Sequence, residues 1–165
     1  MADEPRLEYR DEQPYLAIRT QVPIPFGKVL PGLWGEVAAF LKDRGIEPSG
    51  APFVRYLTTD MANKLDIEVG FPVSSSMPGD ERVSAGRLPA GRYAVLLYTG
   101  PYRKLVKVTA GLLEWAKKEN IIWKTTKIDH VEWWEGRVEW YPTDPAAEPD
   151  PQKWRTELAF LTANG

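Results

Sequence analysis

From His130 to Pro145 the chain reads HVEWWEGRVEWYPTDP, three tryptophans, one tyrosine and three glutamates within sixteen residues. A core takes aromatics and refuses acids, whereas an ordinary surface takes acids and gains nothing from large rings. A site for an apolar guest uses both. A tight turn at Glu135-Gly136, with Gly136 supplying positive φ, makes the stretch a hairpin that pairs Trp134 with Arg137 and Glu132 with Glu139. Alternation then puts Val131, Trp133, Val138 and Trp140 on one apolar face, expected to pack on a helix. His130, Glu132, Trp134, Arg137, Glu139 and Tyr141 fall on the other.

The same parity extends outward. In KWRTELAFLTA at the end of the chain, Trp154, Thr156, Leu158 and Phe160 share a face and Glu157 points the other way. In KLDIEVGFPV (Lys64 to Val73), Ile67, Val69 and Phe71 face a core and leave Asp66 and Glu68 opposite. If the acid-bearing faces meet across a groove, Glu68, Glu157 and Glu139 project into it beside Tyr141 and Trp134. Partial burial among rings raises a carboxyl pKa. A cationic or hydrogen-bond-donating guest then recovers part of the desolvation cost while the rings hold its flat body. Trp133, Trp140, Trp34 and Trp115 read instead as packing residues.

Upstream, residues 1–13 lack apolar periodicity and read as a loose arm, followed by a strand from Tyr15 to Val22. GKVLPGLWGEVAAFLKDRG spaces Val29, Leu33, Val37, Phe40 and Leu41 as a helix, with Pro31 near its start and Gly45 at its end. FVRYLTTD (Phe53 to Asp60) and Lys64 to Val73 read as strands, and SSSMPGDERVSAG as the loop between halves. The order then restarts with a β-rich run from Gly91 to Tyr98, a helix within Tyr102 to Glu119, the hairpin and the final strand. Four ordered matches link the halves: IPFGKV with GPYRKL, AFLKDRGI with EWAKKENI, VRYLTTD with VEWYPTD, and DIEVGFPV with RTELAFLT. The expected fold is α+β, a single domain over 1–165 made of a duplicated strand-helix-strand-strand module. Residues 14–76 and 87–163 form its halves, and their antiparallel sheets meet across a pseudo-twofold groove.

Composition removes several function classes. With 165 residues the chain can bury a core without staples, and it contains no cysteine, so disulfides, thiol catalysis and thiolate zinc sites are out. His130 is its one histidine, and neither a metal nor another cofactor is expected. A net charge of −2 with scattered Lys and Arg offers no field for phosphates. Nucleic acid is not an expected partner, and no segment before Tyr15 is long enough for a helix-turn-helix module. No run approaches a membrane span and no signal segment is visible, which gives a cytoplasmic expectation. Neither a Gly-x-Ser-x-Gly elbow nor a phosphate loop occurs. The proline-rich, acidic YPTDPAAEPDPQ reads as a connection that can rim the groove.

The repeated strand-helix-strand pattern, YTGPY (Tyr98 to Tyr102), EWYPTDP (Glu139 to Pro145), DIEVGFPV and the WRTELAF ending resemble the GyrI-like small-molecule-binding domain, also called the AraC-type effector-binding domain. The resemblance runs from about Tyr15 to the end and implies paired modules around a groove, with a buried glutamate, here Glu139, and Tyr141 beside it. Tyr98 and Tyr102 join the expected ligand-binding set of Glu139, Tyr141, Trp134, Glu157 and Glu68. Three functions follow from the resemblance. The first is a stand-alone, multidrug-like binder of hydrophobic, aromatic or cationic compounds. The second is a hydrolase opening cyclopropane-bearing DNA-alkylating toxins, with Glu139 and Glu157 or Glu68 as base and acid on a water. The third is a partner of DNA gyrase.

Overall fold

The computed structural model describes residues 1–23, 25–59 and 64–163; Ile24 of the IPFGKV match and Asp60 of the FVRYLTTD strand lie outside them. Nine strands among the described residues form one antiparallel sheet: β1 Arg6–Arg10, β2 Gln13–Val22, β3 Phe53–Thr58, β4 Leu65–Pro72, β5 Ser84–Leu88, β6 Gly91–Thr99, β7 Thr125–Ile128, β8 Val131–Trp140 and β9 Arg155–Leu161. The order is β1-β6-β9-β8-β3-β4-β2-β5, with β7 added on β8. Instead of two sheets facing one another, the halves are joined edge to edge where β3 pairs with β8. The architecture is α+β.

Two 14-residue helices, α1 Leu30–Asp43 and α2 Leu105–Lys118, lie on one face of this sheet. Leu33, Val37, Phe40 and Leu41 of α1 pack on Leu16, Ile18, Val54, Ile67 and Val69. Leu112 of α2 packs on Ala94, Leu96, Leu158 and Phe160. Pro31 sits in the first turn of α1, where no amide hydrogen bond is lost. Both helices stop in the same way. Gly45 (φ 66) and Asn120 (φ 58) turn left-handed, and the amides of Ile46 and Ile121 reach back to the carbonyls of Leu41 and Ala116, both at 2.9 Å.

The sheet must curl. A flat sheet would hold β1 and β2 about 29 Å apart, six spacings of about 4.8 Å. Only Asp11 and Glu12 link the two strands, a reach of at most about 11 Å. Pro89 and Ala90 set the same constraint between β5 and β6. The curl encloses the face away from the helices, which is filled by Tyr15, Phe53, Val138, Tyr93, Val95 and Leu161.

Several sequence expectations change here. The loose arm is a strand, because β1 pairs with the edge of β6 through Arg6↔Val95 to Arg10↔Gly91. Its outward Leu7 and Tyr9 are exposed, so backbone pairing orders it and apolar alternation could not announce it. Ser84 to Gly86 of the expected loop belong to β5. Glu135-Gly136 is not a turn. The turn is at Asp129 (φ 51) and His130 (φ 68), between β7 and β8, and β8 continues through Gly136. Gly136 is needed for space, since a Cβ there would lie 2.8 Å from Leu161 Cβ. A register shift occurs at this point: β3 advances from Tyr56 to Thr58 while β8 passes from Arg137 to Trp133, a bulge. Trp134 thereby joins Phe160 and Leu158 on the helix side. The expected apolar face also changes partner, because Val138 and Trp140 pack on the rear with Phe53 rather than on a helix.

Candidate functional site

At the β3–β8 junction the sheet runs beneath the gap between the starts of the two helices. Val54 of β3 pairs with Glu139 of β8 there, and Tyr56 with Arg137, so these four side chains share the helix-facing side. Helix packing covers sheet to the left and right but leaves this strip open. The result is a cavity of about 770 Å³, within the range of roughly 300–1,000 Å³ usual for small-molecule sites.

Its walls are rings. Trp34 from α1 meets Tyr141 edge-on at 5.3 Å between ring centres, and Tyr102 meets Tyr141 at 5.9 Å. Trp154 backs Tyr102 at 4.7 Å, and Phe26 abuts Tyr56 at 6.0 Å. Trp34 is fixed by its Nε1–H, which donates to the Phe53 carbonyl at 3.1 Å. Leu30, Leu65, Phe71 and Leu105 add aliphatic and aromatic lining, and Pro142 to Pro145 form the rim.

Glu139 lies at the floor, 8% exposed. Its Oε1 accepts hydrogen bonds from the hydroxyls of Tyr56, at 2.9 Å, and of Tyr141. Burial pushes its carboxyl above the ordinary glutamate range, opposed by the two tyrosine hydroxyls and the nearby Arg137. Burial and the adjacent carboxylate push Tyr56 and Tyr141 well above the ordinary phenol value, so both remain donors. The floor can therefore present a carboxylate whose two fixed donors use one oxygen. A guest bearing positive charge or an N–H can meet the rest.

The expected site residues separate into three groups. Glu139, Tyr141 and Tyr102 come together in the cavity. Trp134 is buried beside it, its Nε1–H donating to Thr59 Oγ1 at 3.2 Å, and Thr59 lines the wall. Tyr98 is buried with its hydroxyl donating to the Pro101 carbonyl at 2.9 Å, where it secures the approach to α2. Glu68 and Glu157 are on the rear face. Glu68 accepts from Tyr15 Oη at 2.6 Å and pairs with Arg55 at 3.2 Å, while Glu157 pairs with Arg10 at 2.8 Å. Their parity was read correctly, but the groove lies on the helix-covered face, opposite to where the acids point. Trp34, assigned to packing, and Tyr56 and Phe26 were missed. The offset between the halves held the clue for Tyr56. Shifting the VRYLTTD match by one residue aligns Tyr56 with Tyr141, and both donate to Glu139.

Among the described residues no cluster of three His, Cys, Asp or Glu is placed to hold a metal, and His130 is exposed in its turn. No helix among them is long and apolar enough to cross a membrane.

The GyrI-like small molecule binding domain model matches residues 3–160. The chain belongs to the GyrI-like family. Among solved structures, this GyrI-like domain is similar to the C-terminal domain of EcmrR, with a TM-score of 0.76 at 19% identity over 98% of each chain. It spans 57% of EcmrR as seen in a cryo-EM complex with DNA, with a TM-score of 0.77 at 17% identity over 96% of the present chain. A hydrolase from Listeria innocua matches with a TM-score of 0.62 at 14% identity, over 97% of this chain and 92% of that one. SAV2435 bound to tetraphenylphosphonium matches with a TM-score of 0.61 at 11% identity, over 97% and 94%. Curated protein sequences give no match.

Proposed function

We propose that this GyrI-like domain is a receptor for hydrophobic aromatic compounds, cationic ones included, held between the two helix starts. The observation that carries the reading is Glu139, a buried carboxyl oriented by two tyrosine hydroxyls at the floor of a ring-walled cavity. Desolvation of that acid is a cost in the empty site, and a cationic guest offsets it by Coulomb attraction while the rings supply cation–π and apolar contact. SAV2435, alike in fold, is bound to tetraphenylphosphonium, a cation of this kind. In this reading Glu139 is the anchor, Tyr141, Tyr102, Trp34 and Tyr56 are walls, and Trp134 supports the wall from behind. Titration with tetraphenylphosphonium should quench tryptophan fluorescence saturably, and Glu139→Gln should weaken binding about tenfold, the loss of one charge-assisted contact. A titration without saturation rejects the proposal.

The groove also fits a duplicated module. The strand order reads β6-β9-β8 from one side and β2-β4-β3 from the other. The helices match in length and cap, and Tyr56 and Tyr141 flank the Val54–Glu139 pair symmetrically. Hydrolysis ranks behind binding, because Glu68 and Glu157, offered as the second carboxylate, face away from Glu139. The gyrase expectation is carried by no feature of the cavity and forms no part of the proposal.

A further inference from the structure

The cavity floor bears a second charge. Arg137 precedes Glu139 by two residues on β8, shares its face and lines the cavity. Its guanidinium carbon lies 4.6 Å from the ring centres of Trp134 and Phe160 and 5.8 Å from that of Tyr56. Rings satisfy a cation's face and leave its N–H groups without acceptors. The Arg137 Nε is buried with no hydrogen-bond partner, and among the described residues no carboxylate forms an ion pair with this side chain. Burial pulls its pKa down from the usual guanidinium value, opposed by the nearby Glu139.

A second observation points the same way. Both helices begin at the cavity, through Gly27 and Leu30 on one side and Tyr102 and Leu105 on the other. Neither start has a side-chain cap or an acid in its first turn. Helix starts carry partial positive charge from unmatched amides, so both favour an acceptor or anion in the space between them. Opposing them is Glu139, whose Oε1 is already occupied by two hydroxyls, and Asp144, exposed at the rim with its Oδ1 taking the Ala146 amide at 2.9 Å.

We infer that the site is made for amphoteric guests: a flat aromatic body with a cationic or donor group at Glu139 and a carboxylate at Arg137. The inference rests on the proposed function and narrows its ligand class. A guest with positive charge alone answers Glu139 and leaves the buried Arg137 Nε without an acceptor, which is costly. A guest that adds a carboxylate offers the planar fork two parallel N–H···O bonds and turns that cost into binding.

Rhodamine B and its ethyl ester test this, since they share one cationic ring system and differ in whether the carboxyl can ionise. Fluorescence anisotropy titrations on the full chain at pH 7 should show rhodamine B binding about tenfold tighter than the ester, one charge-assisted pair's worth. Arg137→Gln should abolish the preference, and Arg137→Lys should restore part of it. Equal affinity of wild type for the two dyes, or an unchanged preference in Arg137→Gln, overturns the inference and leaves the receptor reading standing. If neither dye nor tetraphenylphosphonium saturates, the receptor reading fails and this one with it. Should Arg137→Gln fail to fold, the wild-type dye pair decides the ligand class alone.

Discussion

Glu139 is buried at a cost to the fold, a cost that the proposed guest would offset. Its folded pKa is raised by burial, so the native state holds this proton more tightly than the unfolded chain does. Below the unfolded value both states are protonated and nothing is lost. As pH rises from the unfolded value through the folded one, the unfolded chain releases the proton first and stability falls. Melting temperatures of wild type and Glu139→Gln should therefore converge near pH 4, and the variant should become progressively the more stable as pH approaches 7. A constant gap across that range would show that the carboxyl does not titrate with a raised pKa. Loss of tetraphenylphosphonium binding in the same variant would separate the residue's ligand role from its effect on stability.

At the scale of elements, β8 shows what a sequence can and cannot disclose. The grouping of Trp134, Arg137, Glu139 and Tyr141 on one face was legible, although the turn invoked for it does not exist. A bulge next to Gly136 reverses the side-chain parity as a two-residue turn would have done, so both geometries predict the same faces. What separates them is the partner strand. A turn needs Gly136 for positive φ, whereas the bulged strand needs it because Leu161 and Tyr93 fill the Cβ position. Gly136→Ala should thus destabilise by about 1–3 kcal/mol through overpacking, read as a shifted denaturation midpoint. Asp129 and His130, the residues actually at positive φ, offered no signal because neither is glycine. The helices were legible almost to the residue, since Leu33, Val37, Phe40 and Leu41 repeat at helical spacing and Gly45 and Asn120 stop them.

For the whole molecule, the order of elements announced an α+β composition. It could not announce that a single curled sheet joins the strands, because strand order is set by long-range pairing such as β3 with β8. The side of the groove was lost for the same reason. Glu68 and Glu157 were read onto the correct strand faces, and only the packed helices reveal which face holds the cavity. The arm was illegible because β1 is ordered by its pairing with β6 and by Arg10, which bonds Glu8 at 2.6 Å and Glu157 at 2.8 Å. A chain lacking residues 1–10 should expose the β6 edge, melt lower and self-associate, measured by calorimetry and light scattering. An unaltered melting point would show β1 to be dispensable.

The hydrogen bond from Tyr56 to Glu139 crosses the seam between β3 and β8, so the floor of the cavity belongs to neither half alone. In the proposed receptor a guest seated there would act as a rivet, because the cavity is lined by α1 and β3 on one side and by α2 and β8 on the other. Occupancy and the cohesion of the two halves are then a single mechanical property. Whatever pries the seam apart ejects the guest, and whatever the guest grips most firmly becomes the hardest line along which to split the molecule.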